Sequence, residues 1–299
     1  MLRSISPVGL LYLWVMSQPL DLSEPDYRHD TEFSKLLARR ADVDLTVAAL
    51  EVARDAYPDL QFEETLRWFD LRANTLREQF ATSIFEREAL EALCEELGQR
   101  QKLTGTDAAF DDADASYLHR IIATGHGIPL SLSLIYLGVA ERAGLPLSGV
   151  SAPQHFLSRC ETSEGPLFVD AFTPGRILTE TECIAWLSEL TEMTDTQILP
   201  FLEPAGPRMI LVRMLNNLKV VHAKHENWSA AWKVQHRLMS LKPGSYQERR
   251  DMGILSVHAK RTLTAIKLLT NCLRNCPADE RVVLREHLEM AHSSHAQWN

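Results

Sequence analysis

The sequence lacks the marks of a nucleotide-binding or metal-dependent protein. Gly125 and Gly127 stand in neither a GxxxxGK(S/T) nor a GxGxxG arrangement, so there is no backbone cradle for a phosphate. Cysteine is sparse: Cys94, Cys160, Cys183, Cys272 and Cys276 are odd in number and irregular in spacing. That pattern suits reduced thiols in a cytoplasmic protein better than a disulfide framework. Cys272 and Cys276 could lie on one helical face and form half a metal site, but two small buried hydrophobes near a helix end are the simpler reading. No cofactor and no metal are expected. Positive charge is also short, with 31 Lys and Arg against 40 Asp and Glu and a net charge of -9. A nucleic-acid binder normally carries a basic face, so none is expected here. Long apolar runs are missing too. Val8 to Met16 is too short to cross a bilayer and is followed by no small-x-small cleavage site, so neither a membrane span nor a cleaved leader is expected. A translation start at Met16 is an alternative, and residues 1–31 read as a lead-in segment.

What is present is a soluble globular balance, 45% hydrophobic and 24% charged, which can form a core without disulfide or metal support. Asp42-Val43-Asp44 caps a helix reaching about Ala56, with Leu45, Ala48, Ala49 and Val52 on one apolar face. Phe62 to Leu76 is a second amphipathic helix, and Ser83-Ile84-Phe85-Glu86 reads as a capping box opening a third. Ala115 to Ala123 is a short helix ended by Gly125-His126-Gly127. Pro129 then suits the first turn of a helix that stops at Ala143-Gly144. Ser148–Ser151, His155–Cys160 and Leu167–Ala171 read as strands, the last two as a hairpin. Thr179 to Glu182 is a capping box for a helix to about Leu190.

From Pro207 onward the pattern is helical. Pro243 and Pro277 lie 34 residues apart, as do Ala231 and Ala265, which is the tetratricopeptide period. Gly253 occupies the small position of the second repeat and Lys219 that of the first. Two repeats and a last helix are short for a free-standing solenoid, so the repeats are expected to lean on the central domain.

The segment from His126 to Arg176 is the most informative. Gly127-Ile128-Pro129-Leu130-Ser131-Leu132-Ser133, Gly144-Leu145-Pro146, His155-Phe156-Leu157 and Val169-Asp170, in that order and spacing, resemble the SirB1 family. That family joins a transglutaminase-like core to tetratricopeptide repeats, and the resemblance runs from about Phe33 to the C-terminus. It implies a Cys-His-Asp triad. The thiolate would sit at a helix N-terminus, the histidine would take its proton and the aspartate would orient the imidazole. Carried over, the histidine is His155 and the aspartate Asp170. The cysteine belongs fifteen residues before Gly144, and that position holds Pro129. Ser131 lies about 200° around the helix from it; Ser133 returns to within about 40° but ~6 Å further along. The family pattern also reads Pro-Gly-His-Phe where this chain has Pro153-Gln154-His155-Phe156, and Asp-Pro-Phe where it has Asp170-Ala171-Phe172.

The reading is an α+β protein, mostly helical, with a transglutaminase-like (papain-like) core around a small antiparallel sheet and C-terminal repeat-like helical hairpins. Residues 32–200 hold the helical N-terminal part and the core, and 201–299 the degenerate repeats. The expected function is a non-catalytic, cytoplasmic interaction or regulatory protein whose protein partner engages the repeat region. The alternative is a hydrolase or acyl-transferase using His155, Asp170 and a displaced nucleophile, Ser131. His155 and Asp170 also have a structural reading, as a satisfied pair that pins the hairpin. His119 and His126 read as exposed loop histidines. His287, His292 and His295 crowd the C-terminus, where they could take up metal adventitiously. Arg213, Lys219, Lys224, Lys233 and Arg237 read as a solvated helical face.

Overall fold

A computed structural model describes residues 25–297, apart from Asp26 and Ile84. The apolar run at 8–16, the alternative start at Met16 and most of the lead-in lie outside the described residues. The first elements are helices α1 (Thr31–Leu37), α2 (Leu45–Ala53), α3 (Phe62–Thr82) and α4 (Glu86–Cys94). Asp44 caps α2 by accepting from the Val47 N–H at 3.0 Å. Instead of showing one apolar stripe, α2 is buried from Ala48 through Ala53, Glu51 included. That carboxylate is used as a cap: it accepts from the backbone N–H groups of Glu32 at 3.0 Å and Phe33 at 2.7 Å, in the first turn of α1. The capping box expected at Ser83 is absent. The Ser83 hydroxyl donates back to the Gln79 carbonyl and closes α3, and Phe85 is the N-cap of α4.

The centre of the molecule is α6 (Pro129–Ala143), reached through the two-residue strand β1 (Thr104–Gly105), α5 (Leu118–Thr124) and the two-residue strand β2 (His126–Gly127). Gly125 ends α5 in the left-handed region at φ 82°, as a C-cap glycine should. After α6 comes an antiparallel sheet in the order β3 (Ser148–Val150), β4 (Leu157–Cys160), β5 (Leu167–Asp170), β6 (Arg176–Thr179). Phe156, Cys160, Leu167 and Val169 point into the main core with α6. Leu157, Phe168 and Leu178 point the other way, against Cys183 and Leu187 of α7 (Glu180–Thr191). Because both faces are covered, the strands read as short apolar runs with little alternation. Strand β6 was not legible in the sequence: Arg176-Ile177-Leu178-Thr179 runs straight into the Thr179–Glu182 capping box.

After the short helix α8 (Asp195–Ile198) the tail is α9 (Pro207–Lys224), α10 (Trp228–Leu241), α11 (Tyr246–His258), α12 (Thr262–Leu273) and α13 (Arg281–Gln297). The helix starts at Trp228 and Thr262 repeat the 34-residue offset, and so do the helix ends at Lys224 and His258. Ala231 is fully buried against α11, and Ala265 is fully buried with Leu284 and Ala291 of α13. A Cβ on Gly253 would come within 2.9 Å of Leu269, so α11 and α12 pack too closely there for a side chain. Lys219, its counterpart one repeat earlier, pairs with Asp251 at 2.9 Å.

Two charges expected on a solvated face are not there. Arg237 is 2% exposed. Its guanidinium bonds Asp55 at 2.6 and 2.8 Å and Asp30 at 2.8 Å, and it lies over the rings of Tyr27 and Phe33. It turns inward because α10 docks on α1 and α2, which is how the repeats lean on the rest of the chain. Arg213 is also drawn in, through α9. Likewise His119 is not an exposed loop residue: it is half-buried on α5, edge-on to Tyr57 at 4.7 Å. His126 is exposed. Among the described residues no group of three or more His, Cys, Asp or Glu stands close enough to hold a metal ion, and no helix is long and apolar enough to cross a membrane.

Replacing Ala265 by Leu should overpack the α12–α13 contact and cost on the order of 1–3 kcal/mol. An unchanged denaturation midpoint would show that the contact is loose. A second outcome follows from His222, which is buried on α9 with its Nε2 3.1 Å from the Tyr117 hydroxyl. Burial, helped by His225, pushes its pKa below the ordinary histidine value, while Asp114 opposes that shift. The unfolded chain therefore binds the proton more readily than the folded one, and stability falls as pH drops below about 6.5. Denaturant titrations at roughly pH 7.5 and 5.5 should show a smaller loss in His222→Gln than in the parent protein.

Candidate functional site

Strand register brings the two expected site residues together. Ser158 pairs with Val169 and Cys160 with Leu167, so the hairpin places Asp170 across from Leu157. His155, two residues before β4, is then a diagonal neighbour of Asp170, within reach of its side chain. Its Nε2 lies 2.8 Å from Asp170 Oδ1, with the residues 7% and 1% exposed. The same oxygen accepts the Phe172 N–H at 3.0 Å. A carboxylate oxygen can only accept, so Nε2 carries a proton, which in the neutral imidazole leaves a lone pair on Nδ1. The ring is held from two sides, edge-on to Trp186 at 4.9 Å and to Phe172 at 5.9 Å. Arg176, paired across β5–β6 with Asp170, stacks on Trp186 at 4.2 Å. Asp170 Oδ2 is buried without a hydrogen bond, and the nearest Arg176 nitrogen stands at 3.7 Å.

His155 lines a cleft of about 300 Å³ together with Ile128, Pro129, Leu130 and Phe156. Pro129 is the first residue of α6, so the position expected for a nucleophile opens on the same cleft as the histidine. It has nothing to be activated. Ser131 is fully buried and its hydroxyl donates to the Ser116 carbonyl at 3.3 Å; that of Ser133 donates to the Phe156 carbonyl at 3.4 Å. Neither serine lines the cleft. The thiols are no closer to use. Burial pushes Cys94 and Cys183 up to about 12 and Cys160 up to about 11, which keeps them protonated at neutral pH. Cys160 packs with the main core, and its Sγ lies 3.7 Å from the Glu161 carbonyl.

The fourth wall of the cleft was not foreseen. Arg213, Asn217, Val220 and Val221 recur on one face of α9 at helical spacing and line the same cleft as His155. The signal was in the sequence, but nothing local said that this face would lie against the core. Arg213 donates to Ser151 Oγ at 2.7 Å, to the Ala152 carbonyl at 2.8 Å and to the His155 carbonyl at 2.7 Å. It thus fixes the backbone on which the histidine stands. Just before His155, Gln154 has φ 56°, the left-handed region. The glycine of the family pattern suits that conformation without strain.

Residues 64–216 match the model described as the transglutaminase-like superfamily, and residues 218–289 match that of the tetratricopeptide repeat. The two matches meet inside α9. A UPF0162 protein of Xylella fastidiosa (strain Temecula1) is 31% identical over 259 residues, covering 82% of this chain and 88% of the relative. Protein SirB1 of Salmonella typhimurium is 24% identical over 203 residues, covering 68% and 76%. F-box only protein 21 of Homo sapiens shares 36% identity over 104 residues, covering 32% of this chain and 17% of that protein. No solved structure matches the chain.

Gln154→Gly should relieve the left-handed strain and stabilise the fold by about 0.5–1 kcal/mol, net of the greater unfolded-state freedom of glycine. A lowered midpoint in chemical denaturation would mean that the Gln154 side chain contributes more than its backbone costs.

Proposed function

Because this chain belongs to the SirB1 family of transglutaminase-like proteins, we propose that it keeps the superfamily's cleft for binding and has lost the thiol chemistry. Residues 32–200 supply the His155, Asp170 and α6 side of the cleft, and the helical repeat part, 201–299, closes the cleft through α9 and contributes to contact with a cytoplasmic protein partner. Pro129 carries the reading. It stands where the nucleophile belongs, on the same cleft as a histidine whose Nδ1 makes no hydrogen bond among the described residues. The members of such a triad act as a unit, so a base and its orienting carboxylate alone leave little acyl-transfer capacity. The His155–Asp170 pair then has structural value: it satisfies two polar groups that are costly to bury unpaired. The alternative use of Ser131 is disfavoured by its donation to the Ser116 carbonyl in a fully buried position.

The test is chemical. A thiol- or serine-reactive acyl probe should label no residue in a His155-dependent way, and His155→Ala should cost about 1–3 kcal/mol of stability. Stoichiometric labelling of Ser131 or of any cysteine that disappears in His155→Ala would sink the non-catalytic reading. Pro129→Cys supplies the converse. A thiol at a helix N-terminus beside a histidine should alkylate with a midpoint below about pH 7.5, and lose that advantage when His155 is also removed. If it reacts like an ordinary free thiol, position 129 does not face His155.

A further inference from the structure

The cleft gathers features that favour negative charge, and it contains none. No Asp or Glu is among the residues lining it, in a chain whose net charge is -9. Arg213 is half-buried, and among the described residues its guanidinium has no carboxylate partner. Its three hydrogen bonds all go to neutral acceptors, two carbonyls and a hydroxyl. A guanidinium carries five N–H donors, so Nε–H and one Nη2–H remain to be used. Arg237 shows what this protein does with a buried guanidinium whose task is structural: two aspartates neutralise it. Burial, unopposed by any nearby carboxylate, lowers the pKa of Arg213.

A second feature is independent of the first. The N-terminus of α6, a helix of 15 residues, opens on the same cleft through Ile128, Pro129 and Leu130. Its N-cap is Ile128, whose side chain cannot accept from the first-turn N–H groups. The partial positive charge of that helix end therefore faces the cleft without a side-chain cap. In the superfamily the thiolate sits at this place. Here proline has removed the anion and left the positive helix end.

A third feature is His155 itself. It is 7% exposed, lines the cleft, and among the described residues its Nδ1 has no hydrogen-bond partner. This lone pair can accept one N–H from a ligand. The rest of the lining combines neutral polar side chains, Ser116, Gln154 and Asn217, with an apolar part to which Phe110 and Val221 belong, and the Arg213 guanidinium stands 5.7 Å from the Phe156 ring centre.

We propose that this cleft binds the C-terminal carboxylate of a protein or peptide ending in a bulky apolar residue. The carboxylate meets Arg213 and the N-terminus of α6, the last side chain lies against Phe110 and Val221, and a backbone N–H reaches His155. A chain terminus is favoured over an acidic side chain because it alone carries the carboxylate and an apolar group on the same Cα. A cleft of about 300 Å³ holds one or two residues, which suits a chain end better than an extended segment. The proposal rests on the reading that this site binds without catalysis.

The experiment titrates the purified full-length protein with N-acetyl-glycyl-glycyl-leucine, as the free acid and as the C-terminal amide, by ligand-observed NMR. A third peptide carries an aspartate side chain and an amidated end. The free acid should bind at least about tenfold more tightly than either amide, the preference expected of one charge-assisted pair. Arg213→Gln should abolish the preference, with folding checked by thermal melting. Val220→Asp, on the exposed rim, should weaken the acid alone; this variant keeps the test decisive if Arg213→Gln does not fold. Equal affinity for acid and amide, binding of the aspartyl peptide as tight as the acid, no binding at millimolar concentration, or a preference that survives Val220→Asp would each overturn the proposal. Mass spectrometry of the recovered peptides separates the two readings: cleavage would end the non-catalytic reading and leave the carboxylate site standing.

Discussion

The burial of α6 on every side governs the rest of the molecule. From Pro129 through Ala140 every residue of this helix is buried, so each neighbour must be shaped to it. Where α2 and α3 cross it, Gly138 is required: a Cβ there would fall 2.5 Å from Thr46 Oγ1 and 2.9 Å from Phe69. Where the sheet covers it, Phe156 and Val169 fill the space. The two serines of α6 are satisfied internally: Ser131 and Ser133 both donate to backbone carbonyls. A hydroxyl committed in this way is not free to serve the histidine. The first turn of α6 is where the helix borders the cleft, through Ile128, Pro129 and Leu130.

Two arginines show how burial separates scaffold from site. Arg237 joins the repeats to the N-terminal helices, and its charge is matched by Asp30 and Asp55. Breaking one side of such a buried pair is costly, because the other charge is left without a partner. Arg213 performs a related mechanical task by holding the backbone of residues 151–155, yet it does so with uncharged acceptors. A half-buried cation held only by neutral acceptors costs the fold more than a paired one, which fits a position that a ligand completes. The junction of the two family matches inside α9 fits this picture: α9 is both the first helix of the tail and the wall of the cleft.

Much of this was legible in residue order. The 34-residue offset placed the helical hairpins, Thr179 and Glu182 capped their helix as their spacing implied, and the short motifs around Pro129, His155 and Asp170 pointed to the transglutaminase-like core. These signals are local: a cap is decided within four residues and a repeat by its own period. That Pro129 stands at the expected nucleophile position was readable for the same reason, since it needs only a count along the chain. Ser83 was misread because its hydroxyl could satisfy either the helix before it or the helix after it, and sequence does not rank the two.

What residue order could not decide was which faces meet. Arg213 and Arg237 carry the same side chain on neighbouring helices, and both suit a solvated surface. Only the docking of α9 on the core and of α10 on α1 and α2 makes one the wall of a cleft and the other a neutralised strut. The side chains that decide this, Asp55 and Ser151 among them, lie tens to hundreds of residues away in the chain. Their effect is electrostatic and steric, and it exists only after the helices have packed.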